Sequence, residues 1–334
     1  MSSLSWRYCL HIAYYGTGFV GWQRQQLKTQ KSVELKSVQE VVEDAVTETL
    51  GASDRVNVTG VSRTDAGTHA LYQYGFIRLS SKLQMTLDEF KNRINLKLES
   101  DRVVVHGVTI PSNGPTRIRS RYKKYIYYLQ QGDRPDLDQG KYSWYLGRRL
   151  DIQQINQALK YIEGTHDFRP FSQGLRKPQF EDMTTIRTVI SAKVVIRCNV
   201  KFSLDPKVCG RGEVLHSEYL NRRKQSPSSL DESHGDCQHV TCIEQIRKTG
   251  KGREDTPVYF VCIELVANGF LRHMVRRIIG TLRPIGEGTQ PPYQMQNVLA
   301  GVAQAGPSAP AKALWLHCTW LSQEDYDADN RHID

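Results

Sequence analysis

Residues 60–70 (Gly60-Val61-Ser62-Arg63-Thr64-Asp65-Ala66-Gly67-Thr68-His69-Ala70) interrupt two apolar runs. Val56 and Val58 precede them, and Leu71, Tyr72, Tyr74, Phe76 and Ile77 follow. Alternation with period two marks half-buried strands. Any fold open to this chain must therefore carry these residues as a strand-to-strand loop, with one carboxylate between the cationic Arg63 and the permissive Gly67. An isolated loop Asp commonly serves as a turn former or a cap, because its short carboxylate bonds nearby backbone groups. The grouping of Arg63, Thr64, Asp65, Ala66 and Gly67, on a loop rather than in a sheet, favours a chemical role for Asp65.

The elements around that loop alternate. Tyr8–Ala13 reads as a strand and runs into Tyr14–Gln25, where Gly16, Gly18 and Gly21 permit a tight path and close backbone approach. No helix pattern follows these glycines directly, so a dinucleotide-binding loop is a poor reading. Ser37-Val38-Gln39-Glu40 is a capping box in which Ser37 caps and Glu40 reaches back. Val38, Val41, Val42, Ala45 and Val46 then share a helix face, and Gly51 stops it. A strand near Arg55–Thr59, the Asp65 loop and a strand near Gln73–Leu79 come next. Thr86–Glu89 offers a second capping box for a helix through Phe90, Ile94 and Leu98, and Val103–Val108 is a further strand. The order β-α-β-loop-β-α-β is that of a sheet segment with helices on one side.

Further along, Arg117-Ile118-Arg119-Ser120-Arg121-Tyr122-Lys123-Lys124-Tyr125-Ile126-Tyr127-Tyr128 mixes cations and tyrosines. Its strand-like part places Tyr125 and Tyr127 on one face and Lys124 and Ile126 on the other. Basic and aromatic residues so interleaved suit a phosphate-and-base surface; an edge strand guarded by charge accounts for them equally well. Ile152, Ile155, Ala158, Leu159 and Ile162 form an amphipathic helix, capped by Asp151 and stopped by Gly164. His166 and Asp167 could pair chemically, but adjacent side chains rarely converge on one centre, and loop shaping is the better reading. Ile186–Val189 leads into a strand to Val200. Pro257–Val266 is another strand, followed by Leu271, Met274, Val275, Ile278, Ile279 and Leu282 on one helical face, with Arg272 and Arg276 as i,i+4 neighbours beside it. Val298–Val302 reads as a short helix and the stretch to Leu321 as a closing strand.

Residues 201–255 depart from this pattern. They are polar, with few aromatics, and cannot bury enough apolar area to offset the entropy of ordering them, so a largely disordered insertion is expected. His234, Cys237, His239 and Cys242 lie within it at zinc-like short spacings. Their arrangement is not that of a zinc finger, and chance is the better reading.

Charge bounds the function. The 334 residues carry a formal net charge of +10, which favours a polyanionic partner, since Lys and Arg neutralise phosphates and release counterions. No apolar run approaches the ~18 residues of a membrane span, and the segment Met1–Trp6 has no cleavable-signal pattern. Seven scattered cysteines suit reduced thiols in an intracellular protein better than a disulfide framework.

Several of these segments, in this order, resemble the TruA-type tRNA pseudouridine synthases. The family loop Gly/Ser-Arg-Thr-Asp-Ala-Gly-Val-His-Ala matches residues 62–70, with Thr68 in place of Val. The opening Tyr-Asp-Gly-x-x-Phe-x-Gly-x-Gln-x-Gln matches Tyr14–Gln25, with Tyr15 in place of Asp. Arg-x-x-Ala-x-x-Lys-x-Tyr-x-Tyr maps onto Arg117, Ser120, Lys123, Tyr125 and Tyr127, preceded by Gly114-Pro115-Thr116 where the family has Phe-x-Ala. Gly-x-His-Asp-Phe-x-x-Phe matches Gly164–Phe171, and Ala-Asn-x-Phe-x-x-x-Met-Val-Arg-x-Ile-x-Gly is kept whole from Ala267 to Gly280. Near the end, Lys312-Ala313 stands where the family usually has Glu/Gln-Gly.

The resemblance implies an α+β fold of two related halves, forming a mixed, largely antiparallel sheet flanked by helices with the active-site cleft between them. The halves would be 1–112, carrying the Asp65 loop, and 113–322, interrupted by the insertion at about 201–255, with a frayed tail at 323–334. It further implies isomerisation of uridine to pseudouridine in tRNA, in the anticodon stem-loop, without cofactor or metal. Asp65 would be the nucleophile, Arg276 its partner, Tyr125 the ring stacked on the uracil, and Arg63 the side chain filling the space the base vacates. Arg117, Lys123 and Arg272 would bind the RNA backbone. The bacterial members are homodimers, so self-association is carried as an expectation, along with a cytoplasmic or mitochondrial location. The alternative is a non-catalytic RNA-binding chaperone on the same scaffold, supported by the departures at 114–116 and 312–313.

Overall fold

The computed structural model describes residues 6–25, 35–98, 101–111, 119–174, 184–215 and 258–330. Among them, eleven strands join in one sheet. The strands are β1 (Trp6–Tyr14), β2 (Thr59–Gly60), β3 (His69–Leu79), β4 (Val103–Thr109), β5 (Tyr122–Gln131), β6 (Trp144–Tyr145), β7 (Gly164–Asp167), β8 (Ile186–Cys198), β9 (Glu213–Leu215), β10 (Tyr259–Ala267) and β11 (Leu314–Trp320). The helices are α1 (Val38–Leu50), α2 (Leu87–Leu98), α3 (Ile152–Lys160), α4 (Met274–Gly286), α5 (Gln294–Leu299) and α6 (Gln323–Asn330).

The main path through the sheet runs β4-β1-β3-β11-β5-β10-β8-β7. Two trios repeat one plan: β1 lies between β4 and β3, β5 lies between β11 and β10, and all four pairings are antiparallel. The halves meet where β3 pairs in parallel with β11, His69 opposite Trp315 and Ala70 opposite Leu316. That seam begins at the last residues of the Asp65 loop, so the loop is carried at the junction of the halves.

Strand alternation sorts the core. Tyr8, Leu10, Ile12 and Tyr14 of β1, Tyr125, Tyr127 and Leu129 of β5, and Val261, Ile263 and Leu265 of β10 enter one large core with residues of α1 to α5. Ile126, Tyr128, Phe260 and Cys262 point the other way, into a smaller core closed by Val200, Phe202 and Cys209. Each fully buried large side chain contributes about 1.5–3 kcal/mol, which fixes the register: a slip of one residue would exchange the two faces.

Several expectations need correction. β5 is central rather than an edge, so charge-guarding does not explain its lysines; Lys124 instead pairs at 2.7 Å with the buried Glu264. The capping boxes form only by half. The Ser37 and Thr86 hydroxyls accept from the amides of Glu40 and Glu89, but those two carboxylates face Arg24 and Arg93. The helix read through residues 271–282 starts at Met274, so Arg272 precedes it and has no i,i+4 register with Arg276. Residues 201–215 are ordered, with Leu204 and Cys209 buried and β9 paired to β8. The rest of the expected insertion, including His234, Cys237, His239 and Cys242, lies outside the described residues, as does Arg117. The tail read as frayed forms α6 up to Asn330, and the Trp320 indole donates to Asp329 at 2.6 Å.

Candidate active site at the junction of the halves

The Asp65 loop is shaped by contacts that its sequence only partly advertises. Thr68 N–H donates to the Asp65 carbonyl at 3.1 Å, closing a turn in which Gly67 takes a left-handed φ of 80°. Glycine adopts that conformation without steric cost. The N-terminal glycines let the backbone of β1's exit lie directly on this loop. A Cβ on Gly16 would stand 2.1 Å from the Thr68 carbonyl, and one on Gly21 would stand 2.6 Å from that of Thr64. Trp22 N–H donates to Thr64 O, and the Tyr14 hydroxyl meets that of Thr64 at 2.8 Å. At the loop's base, Gln73 accepts from the Ser62 amide and donates to its carbonyl.

His69 anchors the far end. It is fully buried; its Nδ1 accepts from Gly16 N–H at 3.2 Å and its Nε2 donates to the Lys312 carbonyl at 2.9 Å. Since Gly16 N–H can only donate, Nδ1 must be unprotonated, and a second proton there would break that bond. Burial pushes this imidazole down to about 4, against an unfolded value near ~6.5. Between these values the unfolded chain binds the extra proton, so stability contributed by neutral His69 is full above about pH 6.5 and is lost as pH falls toward 4. The total is on the order of 3 kcal/mol. Thermal midpoints measured across this window should fall less steeply for His69→Gln than for the wild type; equal slopes would exclude His69 as a source.

Opposite the loop, Asn268 binds Thr188 through its amide and side chain, which places residues 268–273 at the end of β10. α4 then opens at Met274. Its Arg276 projects toward Asp65, with NH1 3.4 Å from Oδ2, and its Nε donates to Ala309 O at 2.6 Å. His273 Nε2 lies 3.6 Å from the same oxygen, and its Nδ1 meets the Ser308 hydroxyl at 2.9 Å. Both partners of Asp65 are therefore steadied by one segment, residues 305–310. Arg277 holds that segment through Gly306 O and Ala305 O and reaches Ser172 O at 2.8 Å. Ser172 directly follows the Gly164–Phe171 motif, whose Phe168 and Phe171 are buried, and His166 binds Glu163 O.

Close packing of that segment requires Gly280, whose Cβ would meet Pro307 O at 1.9 Å. Gly280→Ala should lower stability by on the order of 2 kcal/mol and displace the carbonyl that Arg276 uses. Denaturant unfolding of the variant measures this, and unchanged stability would contradict the packing argument.

The site opens into a cleft of about 2510 Å³, larger than the roughly 300–1,000 Å³ typical of a small-molecule pocket. Its lining holds Arg7, Arg55, Arg63, Arg78, Arg119, Lys123, Arg187, Arg272 and Arg276 against two carboxylates, Asp54 and Asp65. Such a surface suits a phosphate backbone. Asp65 is half-buried, its side chain 22% exposed, at the floor of this charge. Arg63 is exposed and, among the described residues, makes no hydrogen bond or ion pair. Arg272 is exposed on the same rim.

Lys123 lies deeper than a backbone-binding side chain would: its ammonium donates to Val61 O at 3.3 Å and so ties β5 to the Asp65 loop. Burial and the charge of Arg187 push it down to about 8. Tyr125 lines the cleft but is only 6% exposed, its ring edge-on to Phe270 at 5.0 Å. Burial, Tyr14 and the charge of Asp65 raise its phenol far above the usual tyrosine value, so it stays neutral.

The structure thus brings Asp65, Arg63, Tyr125, Lys123, Arg272 and Arg276 to one cleft. Sequence reading missed His273, Ser308 and His69 as parts of the site; His273 and His69 both sat inside motifs already singled out.

A family model described as tRNA pseudouridine synthase matches residues 158–320. The chain is 27% identical over 308 residues to tRNA pseudouridine synthase A of Thermoanaerobacter sp. (strain X514), covering 91% of this chain and 95% of that protein. It is 26% identical over 309 residues to the protein of that name from Ruminiclostridium cellulolyticum, covering 92% and 96%. Against that from Moorella thermoacetica it is 26% identical over 313 residues, covering 92% and 97%.

Proposed function

We propose that this chain, which is similar to the tRNA pseudouridine synthases, is a TruA-type member of that family and isomerises uridine to pseudouridine in the anticodon stem-loop of tRNA, with Asp65 as the reacting carboxylate. The observation that carries this reading is the meeting of Asp65 with Arg276 at 3.4 Å, across 211 residues of chain, inside a strongly basic cleft.

The chemistry is balanced within the substrate. The N1–C1′ bond breaks, the uracil turns, a C5–C1′ bond forms, and the proton lost from C5 is matched by one gained at N1. No redox partner enters. A carboxylate is needed at the sugar, either attacking C1′ or removing the 2′ proton, and Asp65 is the residue proposed for either route. The target must first leave its stack, at a cost of a few kcal/mol. Arg63, exposed at the cleft and without a partner among the described residues, fills the vacated space; Tyr125 forms the wall against which the base turns. Base–aromatic stacking is worth about 1–3 kcal/mol; with Tyr125 buried and edge-on to Phe270, its face has to be uncovered before a base can stack on it. Arg272 and Arg117 take phosphates. The two halves, 1–112 and 113–322, then divide the work: the first supplies Asp65 and Arg63, the second Tyr125 and Arg276.

The test uses unmodified tRNA transcripts incubated with the protein, digested to nucleosides and separated by chromatography, since the product has the mass of the substrate. Conversion confined to the anticodon stem-loop supports the reading in full. Conversion elsewhere overturns the assigned position. Tight RNA binding without conversion favours the non-catalytic chaperone.

A further inference from the structure

Arg276 and His273 approach the same oxygen of Asp65. Arg276 NH1 lies 3.4 Å and His273 Nε2 3.6 Å from Oδ2. Among the described residues Oδ1 makes no hydrogen bond or ion pair. Among the described residues the carboxylate is therefore held by one oxygen only.

The imidazole is itself held. A lone pair on Nε2 facing a carboxylate would be repelled, so Nε2 carries the proton and Nδ1 accepts from the Ser308 hydroxyl at 2.9 Å. The distance of 3.6 Å is a charge–dipole contact that a small tightening turns into a hydrogen bond, as happens when catalytic sites fill. Burial, and then the charges of Arg276, Arg272 and Arg277, hold this imidazole below its usual value, against the opposing pull of Asp65. A neutral donor orients the carboxylate without adding a second full positive charge that would blunt its reactivity.

The backbone supplies a separate observation. His273 sits at φ 62° and ψ 0°, and it and Asn199 are the non-glycine residues with positive φ among the described ones. A side chain there costs about 1–2 kcal/mol, and such strain gathers where a side chain is needed in one place. Glycine or asparagine would occupy the position more cheaply.

We infer that His273 is a positioning residue: with Ser308 it pins Oδ2 of Asp65 so that Oδ1 is the oxygen presented to the ribose. The inference rests on the reading of Asp65 as the reacting group, and the experiment separates the two. Single-turnover release of tritium from uracil C5 of transcribed tRNA, together with tRNA affinity, is measured for wild type, Asp65→Asn, His273→Asn, His273→Gln and Ser308→Ala. Asparagine keeps the left-handed backbone but is too short to reach Oδ2; the glutamine amide can reach it.

His273→Asn should slow release about 10- to 100-fold, the scale expected of a misplaced reacting group, with affinity unchanged within about twofold. His273→Gln should recover most of the rate, and Ser308→Ala should lose several-fold. A wild-type rate in His273→Asn, equal losses in the Asn and Gln variants, or a loss that tracks weaker tRNA binding overturns the inference. Release by Asp65→Asn, or none by wild type, overturns the underlying reading of Asp65 instead.

Discussion

Asp65→Asn loses pseudouridine formation by on the order of 10³-fold or more while binding tRNA with nearly the affinity of the wild type. The amide keeps the size of the carboxylate and can still accept from Arg276 and His273 at the position of Oδ2. What it loses is the negative charge that both routes at the sugar require. In the proposed reading RNA affinity is carried by the basic cleft, whose lining among the described residues holds nine cations against two carboxylates, so removing one carboxylate should slightly favour phosphate binding. Rate and affinity therefore separate in this variant. Single-turnover conversion and equilibrium tRNA binding check it together; a joint loss of both would indicate a disturbed fold rather than a lost reactant.

Arg276→Gln is the second large effect. The guanidinium contacts Asp65 through NH1 and holds residues 305–310 through the 2.6 Å bond from Nε to Ala309 O. Removing the charge leaves a half-buried carboxylate without its cation, and removing Nε loosens the segment that also carries Ser308. Breaking a wholly buried pair costs about 3–5 kcal/mol; with the two side chains 15% and 22% exposed, solvent reduces this to about 1–2 kcal/mol of stability. The rate should fall about 10²-fold. Arg276→Lys keeps the charge but not the Nε bond, and should lie between the two. A glutamine variant with wild-type rate would mean that the pair is structural only.

Much of the fold was legible because apolar alternation is a direct record of which strand face meets the core. Tyr125 and Tyr127 sort from Lys124 and Ile126 as their spacing requires, and the Asp65 loop does lie between two strands, but the run read as a strand at Arg55–Thr59 is a strand only at Thr59–Gly60 and β3 already begins at His69. The central position of β5 was not legible, since strand order depends on pairings between distant segments. The start of α4 was misplaced for a different reason. Leu271 continues the helical apolar spacing backward, and nothing in a non-glycine residue announces that His273 takes a left-handed φ. The site followed the same division. Asp65 and Arg276 stood out by their motifs, but Ser308 and the carbonyls of Ala309 and Lys312 act through the backbone path of their segments. Residues 201–215 were read as disordered on average composition, although Val200, Phe202 and Cys209 are enough to close the second core over Tyr128 and Trp315.

The most direct test of the whole account is the release of tritium from uracil C5 of transcribed tRNA, compared between wild type and Asp65→Asn at matched RNA occupancy. Release by the wild type, and background counts from the variant while its RNA stays bound, is the predicted result. Equal release by both proteins would contradict it, because the label would then be leaving without the carboxylate on which the account depends.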